Sequence, residues 1–148
     1  MRLRRSSKLM YYDPVTLVVA PTQEGLAEGS LYLDDEHTLA HEADGEFVYR
    51  KFQYKNNVLT CDQFSPISGG KTAFRPPTTV ERVEIAGQSR PPKSVTLLLA
   101  VGSTRVGVDG ETQSRIPLVA FYDQDRQVIT IKKPDCHVAD AWSIALEF

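Results

Sequence analysis

The sequence predicts an all-β protein, folded as a two-layer antiparallel β-sandwich. Short runs rich in β-branched and aromatic residues recur along the chain, and clusters of Pro, Gly, Asn and Asp separate them. Its 148 residues, 41% apolar and 24% charged, have the composition of one ordinary globular domain. No apolar run approaches the roughly 18 residues of a membrane-spanning helix, so we expect no membrane-embedded segment.

The first half of the chain contains four predicted strands. Val15–Ala20 is a β-branched run with a proline at each end, and Gly29–Leu33 alternates with its leucines on one face. Phe47–Lys55 and Val58–Cys61 flank the dipeptide Asn56-Asn57. Because Asn tolerates a positive φ, this dipeptide predicts a two-residue hairpin.

The second half contains five more predicted strands: Thr79–Ala86, Val95–Val101, Pro117–Tyr122, Val128–Lys132 and Trp142–Phe148. In the first of these, Val83 and Ile85 share the inward face while Glu84 faces water. Ser65–Thr78 is predicted to be a loop because it contains several prolines and glycines, and Gly102–Ile116 is predicted to be a surface loop because it is polar and lacks periodicity.

One segment, Asp35–Ala43, has a possible helical pattern. Asp35 would be its N-cap, and Leu39 and Ala40 would follow on the helix. Its length of about two turns between strands makes a hairpin loop an equally good interpretation.

The N-terminal arm is basic, with Arg2, Arg4, Arg5 and Lys8 and no acidic residue. We expect no nucleic-acid partner, because no interleaved aromatic and basic residues follow the arm. We interpret the arm as a solvated end or as a strand that pairs with acidic neighbours in a larger protein.

The sequence does not show whether its two cysteines, Cys61 and Cys136, form a disulfide bridge. A bridge would close a loop of about 76 residues. Lone cysteines in different strands are more often unpaired and buried, and this is the expected state.

The segment Ser65–Thr72 ends like a phosphate-binding loop. Its first position holds Ser where the motif needs Gly, and Pro76 and Pro77 prevent the helix that must follow. We therefore expect no nucleotide cofactor.

Three histidines are candidate metal ligands. His37 and His41 are four residues apart, and His137 could supply a third ligand. A zinc protease has Glu directly after its first His, and this chain has Thr38 there. We expect exposed loop histidines and no metal.

Acidic residues cluster in two turns, Asp34-Asp35-Glu36 and Asp123 with Asp125. Glycoside hydrolysis needs two facing carboxylates, about 5 Å apart for retention. Neighbouring acids at a strand end point to opposite sides. We interpret these acids as turn-forming and assign no catalytic residue.

Eight aromatic residues occur at strand spacing. Two roles are open for them, a hydrophobic core and an exposed strip on which sugars stack, and core packing is expected. They are Tyr11, Tyr12, Tyr32, Tyr49, Tyr54, Phe121, Tyr122 and Trp142.

Several blocks resemble the C-terminal part of the α-glucosidases of glycoside hydrolase family 31. They are Arg4-Arg5-Ser6-Ser7, Asp13–Ala20, Gly29–Thr38, Glu81–Ile85, Lys132-Lys133-Pro134 and Val138–Ile144. Glu36 stands where the family commonly has Gly, and Ser65–Thr78 matches poorly.

The resemblance implies a retaining α-glucosidase whose two catalytic aspartates lie on an upstream (β/α)8 barrel. Those motifs have no counterpart here, so the resemblance gives the chain no catalytic, cofactor or metal residue. It implies a non-catalytic segment of an enzyme that trims α-1,3-linked glucose from N-linked glycans in the endoplasmic reticulum lumen. The implied partners are the rest of the same polypeptide, a non-catalytic β subunit and, through the barrel, the N-glycan.

The same resemblance implies two domains, the end of a proximal β-sandwich at residues 1–12 and a distal β-sandwich at residues 13–148. Leu3 would then face inward in the neighbouring sheet, and Leu9 and Met10 would be buried at the junction with the rest of the enzyme. The alternatives are a free-standing carbohydrate-binding sandwich and a module that recruits the β subunit.

Overall fold

The computed structural model describes residues 10–64, 74–100 and 115–148. Within these ranges the chain forms ten strands and one short helix. In order, they are β1 (Val15–Val19), β2 (Ala27–Leu33), α1 (Ala40–Ala43), β3 (Val48–Lys55), β4 (Val58–Gln63), β5 (Thr79–Ile85), β6 (Ser94–Leu99), β7 (Arg115–Pro117), β8 (Ala120–Asp123), β9 (Val128–His137) and β10 (Trp142–Glu147). In this part of the chain, no helix is long and apolar enough to cross a membrane.

The strands form two sheets, which confirms the predicted sandwich. The four-stranded sheet has the order β1-β5-β9-β8, and the six-stranded sheet has the order β2-β3-β4-β10-β6-β7. The pairings are antiparallel apart from β1 with β5, which is parallel. Between these two strands the chain forms β2, β3 and β4 of the other sheet. It then returns to the end of the four-stranded sheet at which β1 began, so β1 and β5 run in the same direction.

The core lies between the sheets, and buried residues alternate with less buried ones along regular strands such as β3 and β10. In β5 the alternation shifts by one residue at the irregularity between Val80 and Arg82. In β5, Val80, Val83 and Ile85 are fully buried while Glu84 is only half-buried, as predicted. They pack in one cluster with residues of the opposite sheet, among them Leu97 and Ile144. Each fully buried aliphatic side chain stabilises the fold by about 1.5–3 kcal/mol.

The hairpin between β3 and β4 is confirmed. Asn56 and Asn57 have φ values of 52° and 62°, which is the left-handed pair that a two-residue primed turn requires. The turn sets the register of β3 on β4, with Lys55 opposite Val58.

The predicted single strand Pro117–Tyr122 is wrong, and so is the placement of Arg115 and Ile116 in a loop. The segment forms two strands in different sheets, β7 and β8. Between them the Leu118 N–H donates to the Val95 carbonyl in one sheet, and the Val119 carbonyl accepts from Lys132 N–H in the other. Pro117, which has no N–H to donate, ends the first strand at this crossover. The rest of the predicted loop, residues 102–114, lies outside the described residues.

Strand β9 is longer than predicted, because Pro134 lies inside it rather than after it. Lys133 and Asp135 have positive φ values of 52° and 49°, and the register against β5 shifts between Val80 and Arg82. The proline is therefore accommodated in a bulge, one of the few places in a sheet where it fits.

The segment Asp35–Ala43 contains only the short helix α1. Leu39 precedes this helix without a side-chain cap, whereas Asp35 Oδ1 accepts from the N–H groups of His37 and Thr38. Asp35 therefore stabilises a turn rather than capping a helix.

The structure describes only one of the three N-terminal residues whose burial was predicted. Leu3 and Leu9 lie outside the described residues, and Met10 is 40% exposed in this chain by itself. The division at residue 12 and the burial of Met10 against another domain remain predictions.

Glu36, at the position where the resemblance implies Gly, has a φ of 59°. A non-glycine residue in this region is strained by roughly 1–2 kcal/mol. We expect Glu36→Gly to increase the free energy of unfolding by about 1 kcal/mol, measured by urea denaturation. Glu36→Ala keeps the strain and is the control, so equal effects of the two substitutions would contradict this interpretation.

Candidate functional site

A buried polar cluster lies at one end of the sandwich. We define it by Arg50, Cys61, Arg75, His137 and Asp140. Strand β3 places Arg50 on its inward face, since Val48, Phe52 and Tyr54 alternate with it and are also buried. The turn between β9 and β10 provides Asp140, and the segment before β5 provides Arg75.

The shortest contact in the cluster is a bidentate ion pair. Arg75 Nη1 lies 2.7 Å from Asp140 Oδ1, and Arg75 Nη2 donates to Asp140 Oδ2 at 2.9 Å. The Asp140 side chain is 6% exposed and that of Arg75 is 46% exposed. A backbone bond from Val138 N–H to the Thr78 carbonyl joins the same two segments. The pair therefore closes this end of the sandwich.

Arg50 is the second charge in the cluster and is only 6% exposed. Within the described part of the chain, its Nε and Nη2 atoms have no hydrogen-bond partner. Its guanidinium lies beside Cys61 and favours the thiolate, but burial has the larger effect and raises the Cys61 pKa to about 11. Cys61 is therefore a protonated thiol at neutral pH.

His137 completes the cluster. Burial, and then the neighbouring Arg75 cation, lower its pKa, while Asp140 raises it. A histidine beside a guanidinium is poorly placed to bind a metal cation. His37 is exposed, and His41 Nδ1 lies 3.8 Å from Asp34 Oδ2. In the described ranges, no three metal-ligating side chains come together.

The acidic turn residues are engaged in local hydrogen bonds. Asp34 Oδ1 accepts from Glu36 N–H, and Asp35 Oδ2 accepts from the Thr38 hydroxyl at 2.6 Å. The Thr38 hydroxyl is the main cause that lowers the Asp35 pKa. Asp123 Oδ1 accepts from Arg126 N–H. Turn formation is the role that these contacts support for all three acids.

The aromatic residues separate into core and surface groups. Tyr54 and Trp142 are 2% and 3% exposed and belong to the core. Tyr12, Tyr32 and Phe121 are exposed. Tyr11, Tyr49 and Tyr122 are partly buried. Core packing therefore explains only part of the set.

An aromatic cluster of Tyr32, Phe47, Tyr49 and Phe64 lies on the outer face of the six-stranded sheet. Tyr32 stacks on Phe47 at 5.4 Å and Tyr49 stacks on Phe64 at 4.4 Å, but the two tyrosine rings are inclined by 73°. Stacking within the pairs covers ring faces that a sugar would need. The cluster does not form the flat strip that the carbohydrate-binding hypothesis requires, although Tyr32 is 43% exposed.

Three surface grooves in the described part of the chain are each lined by a single carboxylate. The groove between β1 and β2 is lined by one acid, Glu28. Glu24 is the acid of a second groove, and Asp62 is the acid of a third. None of the three grooves holds the pair of acids that glycoside hydrolysis uses. The phosphate-loop candidate, Ser65–Thr72, lies outside the described residues.

Sequence reasoning did not find the buried polar cluster. The inward position of Arg50 could have been read from its alternation with Val48 and Phe52. The pairing of Arg75 with Asp140 joins residues 65 positions apart, and no local pattern indicates it.

Comparison with known proteins finds that nearly the whole chain is similar to part of several α-glucosidases, which are glycoside hydrolases. The chain is 36% identical over 146 residues to neutral alpha-glucosidase AB of Sus scrofa and 35% identical to that of Homo sapiens, in each case over 99% of this chain. It also matches a solved glucosidase II alpha subunit bound to Tris, with 26% identity and a TM-score of 0.74 over 97% of this chain. No protein-family model matches the chain.

The chain is homologous to a segment of the glucosidase II alpha subunit, an α-glucosidase of glycoside hydrolase family 31. It spans about 14% of the length of the mammalian relatives and 15% of the solved subunit. A further solved structure with a TM-score of 0.72 is an endoplasmic reticulum glucosidase II complex, consisting of the catalytic subunit and the binding domain of the regulatory subunit.

We expect Arg75→Ala to lower the free energy of unfolding by about 2–3 kcal/mol, because it leaves the buried Asp140 carboxylate without its guanidinium. Arg82→Ala is the matched control. Arg82 is 48% exposed, and its partner Glu84 is 31% exposed at 3.5 Å, so this substitution should change stability by less than about 1 kcal/mol. Urea denaturation measures both, and similar losses would contradict a special role for the Arg75 pair.

We expect both cysteines of the folded protein to resist thiol reagents at neutral pH, since both are buried and unbridged and the Cys61 thiol is protonated. After denaturation without reductant, two thiols per chain should react. Rapid labelling of the folded chain, or no thiols in the denatured chain, would show that this assignment is wrong.

Proposed function

We propose that the chain is a non-catalytic, C-terminal β-sandwich segment of a retaining α-glucosidase of the glucosidase II type. The observation that carries the proposal is the similarity over 99% of this chain to only 14% of each mammalian relative. The grooves and turns support it, since each groove contains a single acid and the acids of the turns bond locally.

The physical role of such a segment is to stiffen the scaffold that holds the catalytic carboxylates. A misplacement of about 1 Å at a catalytic group can reduce the rate by about 100-fold, so a rigid support contributes to catalysis from a distance. A sandwich with one continuous apolar core and an end closed by the Arg75–Asp140 pair suits this role.

The whole enzyme would remove α-1,3-linked glucose from N-linked glycans during glycoprotein quality control. It would do so in the endoplasmic reticulum lumen, together with the rest of its polypeptide and a non-catalytic β subunit. The names of the relatives support this, as does the solved complex of a catalytic subunit with a regulatory-subunit domain. Recruitment of the β subunit by this segment is compatible with the same role, and a pull-down with the purified chain tests it.

Two measurements test the proposal together. The purified chain should not hydrolyse aryl α-glucosides, and circular dichroism should show that it is folded. A chimera of the Sus scrofa relative, in which this chain replaces the matching segment, should be active, because the relative's own remaining residues perform the chemistry. The unaltered relative is the control for the assay.

Hydrolysis by the isolated chain would overturn the non-catalytic assignment. A folded chimera without activity would overturn the supporting role.

A further inference from the structure

His137 lies where the chain leaves one sheet for the other, at the polar end of the sandwich. It is the last residue of β9. Its backbone carbonyl accepts two hydrogen bonds at 3.2 Å, one from Asp140 N–H and one from the Trp142 indole Nε1–H. The first bond comes from the turn after β9 and the second from the first residue of β10. The position of His137 is therefore coupled to the conformation of this turn.

The surroundings of the His137 ring favour its neutral form. Two charged groups act on the ring, Arg75 from the segment before β5 and Asp140 from the turn. Burial and then Arg75 outweigh Asp140, so the pKa of His137 lies below its ordinary value of 6.5. Thr79, which lies opposite His137 on β5, is uncharged.

Protonation of the ring makes this arrangement less favourable. Both nitrogens of a protonated imidazole are donors. The Nδ1 atom of His137 is buried and has no hydrogen-bond partner among the described residues. A proton therefore leaves a buried donor without an acceptor and adds a second cation near Arg75.

Opening of the turn would relieve this cost. The Arg75–Asp140 pair and a bond of 3.1 Å from Val138 N–H to the Thr78 carbonyl join the turn to the segment before β5. Local openings occur in native proteins at a lower free energy than global unfolding. Because the pKa of His137 is lowered in the closed form, the open form binds the proton more readily. The closed form is thus fully favoured above about pH 6.5, and this contribution is lost as the pH falls.

Cys61 lies directly beneath the turn and reports whether the turn is closed. Its Sγ atom lies 3.6 Å from the Asp140 carbonyl oxygen and 3.9 Å from that of Val138, and the residue is completely buried. Arg50 lies beside Cys61 on the opposite sheet and is the remaining charged residue of the buried polar cluster. Opening of the turn breaks both Sγ contacts and gives a reagent access to the thiol.

We propose that His137 is a pH-sensitive switch, whose protonation opens the turn between β9 and β10 and exposes Cys61. At neutral pH the ring is uncharged, and the Arg75–Asp140 pair keeps the turn closed. All groups of the switch belong to this chain. The switch therefore operates in the isolated chain and does not depend on the proposed function.

Thiol labelling of the full 148-residue chain tests the proposal at about pH 7.5 and about pH 5.5, on either side of the ordinary histidine pKa. The reagent is 4,4′-dithiodipyridine, which also reacts in acid, and mass spectrometry of peptic peptides separates Cys61 from Cys136. The rate at each cysteine is divided by its rate in the urea-denatured chain at the same pH, which removes the pH dependence of the thiol itself. For Cys61 this ratio should rise by about twofold or more at the lower pH.

Cys136 is the control within the same molecule. It is completely buried in β9 opposite Val80, so opening of the turn should leave its labelling ratio unchanged. An equal rise at Cys61 and Cys136 would overturn the proposal, because unfolding of the whole chain would then explain the labelling.

His137→Gln removes the titrating group, so the Cys61 ratio of this variant should be the same at both pH values. His37→Gln is the matched control, since His37 is an exposed histidine, and it should retain the difference seen in the unaltered chain. Circular dichroism establishes that both variants are folded. A difference that persists in His137→Gln, or that disappears in His37→Gln, would overturn the proposal.

A measurement on the unaltered chain makes the test independent of both variants. The chain has one tryptophan, so the indole N–H signal in its nuclear magnetic resonance spectrum belongs to Trp142, which donates to the His137 carbonyl. This signal should shift with the same midpoint as the His137 ring, below pH 6.5. A Trp142 signal that does not follow His137, or a Cys61 ratio that is equal at the two pH values, would overturn the proposal.

Discussion

The ion pair between Arg75 and Asp140 is the contact on which one end of this sandwich depends. It ties the segment before β5 to the turn through which the chain passes from β9 in one sheet to β10 in the other. Because the carboxylate is almost completely buried, the pair stabilises one arrangement strongly and penalises any arrangement that separates its members. The buried thiol of Cys61, which donates to the Asp140 carbonyl at 3.6 Å, packs beneath the same turn.

The polar groups of this region make structural contacts. The Asp140 carboxylate is paired with the Arg75 guanidinium, and burial raises the pKa of the Cys61 thiol to about 11. The acids of the turns are likewise engaged in backbone and hydroxyl contacts. These contacts support the proposal that the segment is a rigid support, and the chain is homologous to a small part of much longer α-glucosidases.

Several groups on the outer faces of the two sheets have interaction partners within the chain. Tyr49 and Phe64 stack on each other, and Lys132 lies over the ring of Phe121 at 4.5 Å, so these aromatic groups of the outer faces have partners within the chain. Strand β1 lies at an edge of the four-stranded sheet, where β5 is its strand partner among the described residues.

The amino-acid sequence by itself determined the class of fold, most strand positions, the Asn56-Asn57 hairpin and the turn-forming role of Asp34 and Asp35. These features depend on local properties, namely alternation along a strand, the φ preference of Asn and the reach of a short carboxylate. Only the tertiary structure decided the parallel pairing of β1, the crossover at Leu118 and the burial of Asp140 against Arg75. These depend on contacts between residues far apart in the chain, for which a local pattern contains no information. Pro134 shows the same limit, since a proline that suggests the end of a strand is accommodated where the neighbouring strand permits a bulge.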